Sequence, residues 1–297
     1  MKILVTGGSG MLGKHLQKLY PNAIFISSKQ YNLTIESEVK SMYNFYSPDV
    51  VIHAAAKVGG IIDNINKPAE YFEDNILMNT LLLKYAYKFQ TKRFIAILST
   101  CIYPDVNFRY PMLEEDMFLG PPTATNFSYG YAKRAMAVQI DSYNKQYGTS
   151  YNYIIPCNLY SEYDNFHNEE KSHFITSLLK KIKLAVENNQ TEIELYGTGK
   201  PLRQFIYAQD LAKIIKLSID NNIIDNFNVA NEENLSIEQI ALLAIESLGL
   251  NLKIVYKPNT PDGQYRKDVS IEKLKTYFPY FNFISLKEGI QKIYNQL

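Results

Sequence analysis

The chain has 297 residues, enough for one large or two modest domains with a full apolar core and no need of staples. Its 31 basic and 30 acidic residues leave a formal net charge of +1, so no basic field is available to hold nucleic acid nonspecifically. Two cysteines, Cys101 and Cys157, make neither a disulfide framework nor a metal-ligand cluster; a reducing cytoplasm is the expected compartment and no metal site is expected.

The chain opens on a strand signal, Lys2-Ile3-Leu4-Val5. No run approaches the roughly 18 apolar residues of a membrane span, and neither a span nor a signal peptide is expected. Short apolar runs follow at Ile3–Thr6, Ala23–Ser27, Val50–Ala55, Arg93–Leu98 and Asn152–Pro156. Each is near-continuously apolar, as in strands buried on both faces of a parallel sheet. Between them the 3.6-residue period predicts helices at Met11–Leu19, Ile35–Phe45, Pro68–Phe89 and Tyr129–Tyr147. This alternation predicts an α/β fold with a doubly wound parallel sheet of the Rossmann type.

Beyond Asn158 the pattern loosens. Tyr163–Ser172 is polar, Phe174–Val186 reads as an amphipathic helix, and Glu192–Tyr196 as a strand before a Gly197-Thr198-Gly199 turn. Phe205–Tyr207 and Phe227–Val229 read as returns to the first sheet, and Ser236–Leu248 as a helix with apolar residues at 237, 240, 241, 243, 244 and 248. A second, smaller α/β domain, discontinuous in sequence, is expected.

Gly7, Gly10 and Gly13 recur every three residues between the first strand and the first helix. That spacing suits a sharp turn, a close approach to pyrophosphate and tight helix-on-sheet packing, with the helix N-terminus facing the anion. A bare glycine pattern is equally an ordinary turn; the strand before and helix after point to a dinucleotide. The second strand runs into Ser27-Ser28-Lys29-Gln30 with no acid to hold a ribose diol, and hydroxyls beside a lysine suit a 2′-phosphate, so NADP(H) is the expected cofactor.

Tyr129 and Lys133 stand at i and i+4 and share a helix face. A tyrosine of reference pKa about 10 is a sluggish acid unless its phenolate is stabilised, and a neighbouring ammonium would lower that value. Tyr129 would then give a proton to a carbonyl oxygen as hydride reaches the carbon. Tyr-x-x-x-Lys also arises by chance in a chain with 24 tyrosines. Ser99, ending the fourth strand at the edge where open α/β sheets bind ligands, adds a hydroxyl able to polarise the same carbonyl, although a plain strand-end cap fits it too.

These residues resemble the extended short-chain dehydrogenase/reductases acting on nucleotide sugars, and within them the GDP-L-fucose synthase group. The likeness is carried by Ala55-Ala56-Lys57-Val58-Gly59-Gly60-Ile61, Asn75 and Ser99-Thr100-Cys101-Ile102-Tyr103-Pro104. It continues through Asn158-Leu159-Tyr160, Asp164-Asn165-Phe166-His167, Ser172-His173, Gly197-Thr198-Gly199-Lys200-Pro201-Leu202-Arg203, Pro261-Asp262-Gly263 and Arg266-Lys267, so it spans essentially the whole chain.

The resemblance implies NADPH-dependent reduction of the C4 ketone of a GDP-4-keto-6-deoxy sugar by Ser99, Tyr129 and Lys133, after 3,5-epimerisation by Cys101 and His173. A thiol and an imidazole exchange protons near neutral pH more readily than most side chains. Without the likeness, Cys101 reads as a small buried apolar residue and His173 as structural. The cofactor would lie along Gly7, Ser9, Gly10, Met11, Leu12 and Gly13, then Ser28 and Lys29, Ala54, Ala55 and Ala56, Tyr129 and Lys133, and Pro156, Asn158, Leu159 and His173. Val58, Gly59, Lys181, Tyr196, Arg203 and Arg266 would face the sugar nucleotide. Residues 1–162 and 204–230 would form the NADP-binding domain, and 163–203 and 231–297 the nucleotide-sugar domain. A homodimer is implied, paired through the helix carrying Tyr129.

The sequence departs from the family's pattern at Ser161-Glu162 in place of Gly-Pro, at Lys181 in place of Arg, at Gln204 in place of an acid, and in a loop one residue longer at Glu169-Glu170-Lys171. Three other readings share parts of the motif set: a C4-reductase acting on a GDP-4-keto-6-deoxy-heptose or related sugar with a separate epimerase, a nucleotide-sugar dehydratase or 4-epimerase, and a catalytically silent NADP-binding protein.

Overall fold

The computed structural model describes residues 1–166, 172–257 and 262–297. His167, Glu169, Glu170, Lys171 and Pro261 of the motifs above lie outside the described residues. The first half contains β1 (Ile3–Thr6), α1 (Met11–Leu19), β2 (Ile24–Ile26), α2 (Glu36–Tyr46), β3 (Val50–His53), α3 (Ile61–Asn66), α4 (Pro68–Lys88), β4 (Arg93–Ile97), α5 (Phe127–Tyr147), β5 (Asn152–Pro156) and β6 (Asn158–Tyr160). The second half contains α6 (Phe174–Glu187), β7 (Glu192–Tyr196), β8 (Leu202–Arg203), β9 (Phe205–Tyr207), α7 (Ala208–Asp220), β10 (Phe227–Val229), β11 (Leu235–Ser236), α8 (Ile237–Ser247), β12 (Lys253–Lys257), α9 (Glu272–Tyr277) and α10 (Leu286–Tyr294).

Six parallel strands form the main sheet in the order β2-β1-β3-β4-β5-β10, the doubly wound α/β arrangement expected. Residues of β1, β3, β4, β5 and β10 are buried throughout, which is why these runs carry no polar alternation. The chain leaves β1 for β2 on one side and returns to β3 on the other. The carboxyl ends of β1 and β3 therefore flank the crevice at which such sheets take ligands. Helix α1 packs with α7, and α4 packs with both α2 and α5.

A second core gathers Ile175, Leu179 and Ile182 of α6, Ile193 and Leu195 of β7, Ile240 and Ala244 of α8, and Ile290 and Ile293 of α10. Helix α6 buries 175, 178, 179, 182 and 185, an apolar stripe at helical spacing. Reciprocal caps start two of these helices: Ser236 with Gln239 for α8, and Ser285 with Glu288 for α10.

One expectation fails. Phe205–Tyr207 does not return to the main sheet; as β9 it pairs in parallel with β6, and only Phe227–Val229 joins β5. The sheet's edge beyond β5 is taken by β10, while β6 continues past β5 into the second core, where β9 meets it. Helix α3 and the elements after α8 carried no clear period of their own.

A buried polar chain ties the crevice floor to α5. Thr6 Oγ1 lies 2.7 Å from His53 Nδ1, and His53 Nε2 lies 3.0 Å from Asn79 Oδ1. Asn79 Nδ2 donates to the Ala132 carbonyl at 3.4 Å. The amide oxygen can only accept, so Nε2 carries the proton of His53 and Nδ1 accepts from Thr6. Burial, aided by the charge of Lys133, pushes His53 down to about 3 and keeps it neutral. Among the described residues no helix is long and apolar enough to cross a membrane.

Candidate active site

At the carboxyl end of β1 the chain turns through Gly7 at φ 71°. A Cβ there would sit 2.8 Å from the Ala55 backbone nitrogen, and one on Gly13 would sit 2.3 Å from the Gly7 oxygen. Helix α1 thus rests on the loop with no room for a methyl group. Its N-cap is Gly10, and no side chain caps the first turn. The free N–H groups and the positive helix end converge where a pyrophosphate would fit.

From this cradle runs a cavity of about 550 Å³. It gathers Gly7, Ser9, Gly10, Met11, Leu12 and Gly13; Ser28; Ala54, Ala55 and Ala56 after β3; and Val58 and Gly59. Of the expected residues, Ser99, Cys101, Tyr129, Lys133, Pro156, Asn158, Leu159 and His173 line it too. Tyr31, Asn32, Asn64 and Asn126 line it as well, and the sequence reading had not singled them out.

Ser99 caps the short turn Thr100–Ile102, its Oγ accepting from Cys101 N at 3.2 Å. Lys133 is buried, and its Nζ donates to the Ile97 carbonyl at 2.8 Å. Burial pulls the ammonium down to about 8. The nitrogen is 6.0 Å from the centroid of the Tyr129 ring. The expected lowering of the Tyr129 phenol is not what the geometry gives. Burial first, then the charges that Cys101 and Tyr71 can carry, push it well up. The ammonium of Lys133 is turned to the Ile97 carbonyl, and Tyr129 stands as a protonated donor.

Cys101 Sγ accepts from Asn126 Nδ2 at 2.9 Å and lies 3.6 Å from Lys267 Nζ. Along the same cavity His173, the N-cap of α6, has its Nδ1 2.9 Å from Asp164 Oδ1. Thr176 donates to the other Asp164 oxygen. Burial alone would lower His173, but the hydrogen bond and charge of Asp164 outweigh it and raise the imidazole. The carboxylate fixes the proton on Nδ1 and leaves Nε2 to exchange one. Asp164 is held low by the same pairing despite its burial.

Residues 3–230 match the model of the NAD dependent epimerase/dehydratase family. The chain belongs to that family. It is 36% identical over 300 residues to a GDP-L-fucose synthase of Dictyostelium discoideum, covering 98% of this chain and 93% of that protein. It is 35% identical to a GDP-L-colitose synthase of Yersinia pseudotuberculosis, covering 98% and 96%. A crystal structure of a GDP-L-fucose synthetase from Naegleria fowleri bound to NADP superposes with a TM-score of 0.87 at 32% identity, covering 99% of this chain and 91% of that one.

Five of the expected residues do not line the cavity of this epimerase/dehydratase family member. Lys29 is exposed on the loop after β2. Lys181 donates to the Glu194 carbonyl at 2.8 Å and lies 4.3 Å from the centroid of the Tyr196 ring, with Lys257 5.3 Å from the same ring. Arg203 donates to the Leu202 carbonyl and is pulled down by burial, while Cys101 and Asp262 lie close enough to oppose that with their charges. Arg266 grips Asp268 through two bonds of 2.6 and 3.0 Å and lies over Tyr110. Its neighbour Lys267 is the one that reaches the site.

The departures have local accounts. Glu162 accepts from the Tyr207 hydroxyl at 2.5 Å beside the buried His15, and the buried Ser161 accepts from Tyr163 N. Gln204 is buried against Val269.

Asp164→Asn leaves burial to act on His173 almost alone. The His173 titration midpoint, followed by proton NMR of the ring, is expected to move from above the ordinary value of about 6.5 to below it. An unchanged midpoint would show that Asp164 does not set this imidazole.

Proposed function

We propose that this protein converts a GDP-4-keto-6-deoxy sugar by 3,5-epimerisation followed by NADPH-dependent reduction at C4, as a GDP-L-fucose synthase does. The observation that carries the reading is the convergence of two proton-handling sets on one cavity: Ser99, Tyr129 and Lys133, and Cys101 with the His173–Asp164 pair. The names borne by relatives 35–36% identical over nearly the whole chain support the GDP-linked substrate class. Residues 1–162 and 204–230 would carry the cofactor, and 163–203 and 231–297 the sugar nucleotide, with Arg203, Lys181 and Tyr196 on the nucleotide's path.

The cradle fits a dinucleotide, because added Cβ atoms at Gly7 and Gly13 would fill it and α1 offers uncapped N–H groups. Bound there, NADPH would supply hydride to C4. The protein's own groups do the rest. A ketone at C4 acidifies the C–H bonds at C3 and C5. Inverting a centre needs a base on one face and an acid on the other, a division suited to Cys101 and His173. The negative charge that gathers on O4 during each proton removal would accept from Ser99 Oγ and the Tyr129 hydroxyl. In the last step Tyr129 gives its proton to O4. Lys133 keeps positive charge beneath the phenolate left behind.

The exposed apolar side chains Phe72 on α4 and Phe127 and Val138 on α5, with Tyr131 and Ala135 between them, support pairing of two chains through these helices. The free thiols of Cys101 and Cys157 suit a reducing cytoplasm. Light scattering on the purified protein is expected to give twice the chain mass; a monomer mass would remove the dimer.

Incubation with GDP-4-keto-6-deoxymannose in heavy water, without NADPH, is expected to place deuterium at C3 and C5. Cys101→Ala should cut that exchange by about 10²–10⁴-fold, and Tyr129→Phe should cut reduction by a similar factor while cofactor binding persists. No exchange by a protein that still reduces the ketone would leave a C4 reductase alone.

A further inference from the structure

We propose that Lys267 is the positioning residue for Cys101: its ammonium is the counter-charge against which the thiol gives up and regains its proton. The inference rests on the epimerisation proposed above and adds a residue to it.

The segment carrying Lys267 is held at both edges. Met112 N donates to Asp268 O at 2.9 Å and Ser270 N donates to Met112 O at 2.8 Å, so Val269 and Met112 form a single parallel bridge. From the other side Gln204 Oε1 accepts from Val269 N at 2.9 Å, while Gln204 Nε2 donates to Val269 O at 3.4 Å and Asn231 O at 2.9 Å. An amide can serve a backbone N–H and a backbone C=O at once; a carboxylate has nothing to donate. The glutamine at 204 therefore fixes the register of the segment.

Side chains alternate along an extended segment. Arg266 and Asp268 fall on one side and neutralise each other. Lys267 falls on the opposite side, half-buried, with its nitrogen 3.6 Å from Cys101 Sγ. The sulfur also takes the Asn126 amide at 2.9 Å, and no carboxylate among the described residues reaches it at hydrogen-bond distance. Both side chains that bond the sulfur are donors, able to hydrogen-bond a negatively charged sulfur, and the Arg203 guanidinium lies close enough to feel its charge. In the transfer, the C–H bond next to the ketone breaks, its proton goes to sulfur, and its electron pair moves onto O4. The pair then returns from O4 to carbon as His173 gives a proton on the opposite face, and the S–H proton passes to water, restoring the charge beside Lys267. No oxidant or further reactant is needed.

The test reads the sulfur directly. Alkylation of Cys101 by iodoacetamide at neutral pH is followed by mass spectrometry. Cys157, buried and pushed up to about 12, provides the slow internal reference. Lys267→Met and Lys267→Gln are expected to slow Cys101 alkylation about tenfold, the effect of losing one close positive charge, and Lys267→Arg to restore most of it. NADPH binding, which does not involve this residue, reports that each variant is folded. In heavy water with GDP-4-keto-6-deoxymannose, exchange at saturating substrate should fall by at least the same factor in the Met and Gln variants. Alkylation at the wild-type rate, with only a raised KM, would overturn the proposal and make Lys267 an anchor for the substrate. If the wild-type protein shows no exchange, the epimerisation fails, and the alkylation rates alone decide whether Lys267 governs Cys101.

Discussion

The ammonium of Lys133 is buried, and its nitrogen lies 2.8 Å from the carbonyl oxygen of Ile97 at the carboxyl end of β4. Taking that charge out of water is costly, and the cost is tolerated only with a partner in place. The bond joins α5, which carries Tyr129, to the strand that runs into Ser99. It therefore fixes the relative position of the Tyr129 phenol and the Ser99 hydroxyl. The same charge helps to keep His53 neutral, which completes the Thr6–His53–Asn79 chain beneath the crevice. A hydrophobic residue at 133 would pack as well and would leave nothing to balance a phenolate.

Around this fixed point the molecule places two kinds of proton donor and acceptor at one cavity, and it treats them differently. Tyr129 is made hard to ionise by burial, as suits a group that must arrive protonated. His173 is raised by Asp164 against the pull of burial, so it stands ready to carry a proton. The Cys101 sulfur takes donors from two separate parts of the chain: Asn126 before α5, and Lys267 some 166 positions away. The last of these comes from the segment that Gln204 and Met112 hold at Val269. The second core is therefore more than a cover, since it contributes His173 and stands beside the segment that presents Lys267.

The legible parts of the sequence were those where one local rule suffices. Strands buried on both faces announce themselves as unbroken apolar runs, and Ile3–Thr6 and Asn152–Pro156 form with the expected bounds. The glycine spacing was readable because a Cβ at Gly7 or Gly13 collides with backbone. Tyr129 and Lys133 were readable as a pair at i and i+4, but the pair's electrostatics were not. Nothing local reveals that Ile97 takes the ammonium. Phe205–Tyr207 shows a similar limit: three apolar residues specify a strand without specifying its partner. Lys267 was hidden for a sharper reason. In an extended segment the choice between Arg266 and Lys267 depends on register, and register is set here by Gln204 from more than sixty residues away. A basic residue immediately followed, two places on, by an acid was the available signal, since Arg266 and Asp268 share a face and cancel.

The central claim is that the half-buried Tyr129 phenol and a reduced nicotinamide together convert a C4 ketone into an alcohol. It is tested most directly by the cofactor balance of a single reaction, with NADPH loss followed by its near-ultraviolet absorbance and the product by proton NMR. The account predicts one NADPH consumed for each GDP-4-keto-6-deoxymannose converted, with GDP-L-fucose as the product. Turnover of a sugar nucleotide with no net loss of NADPH would contradict it.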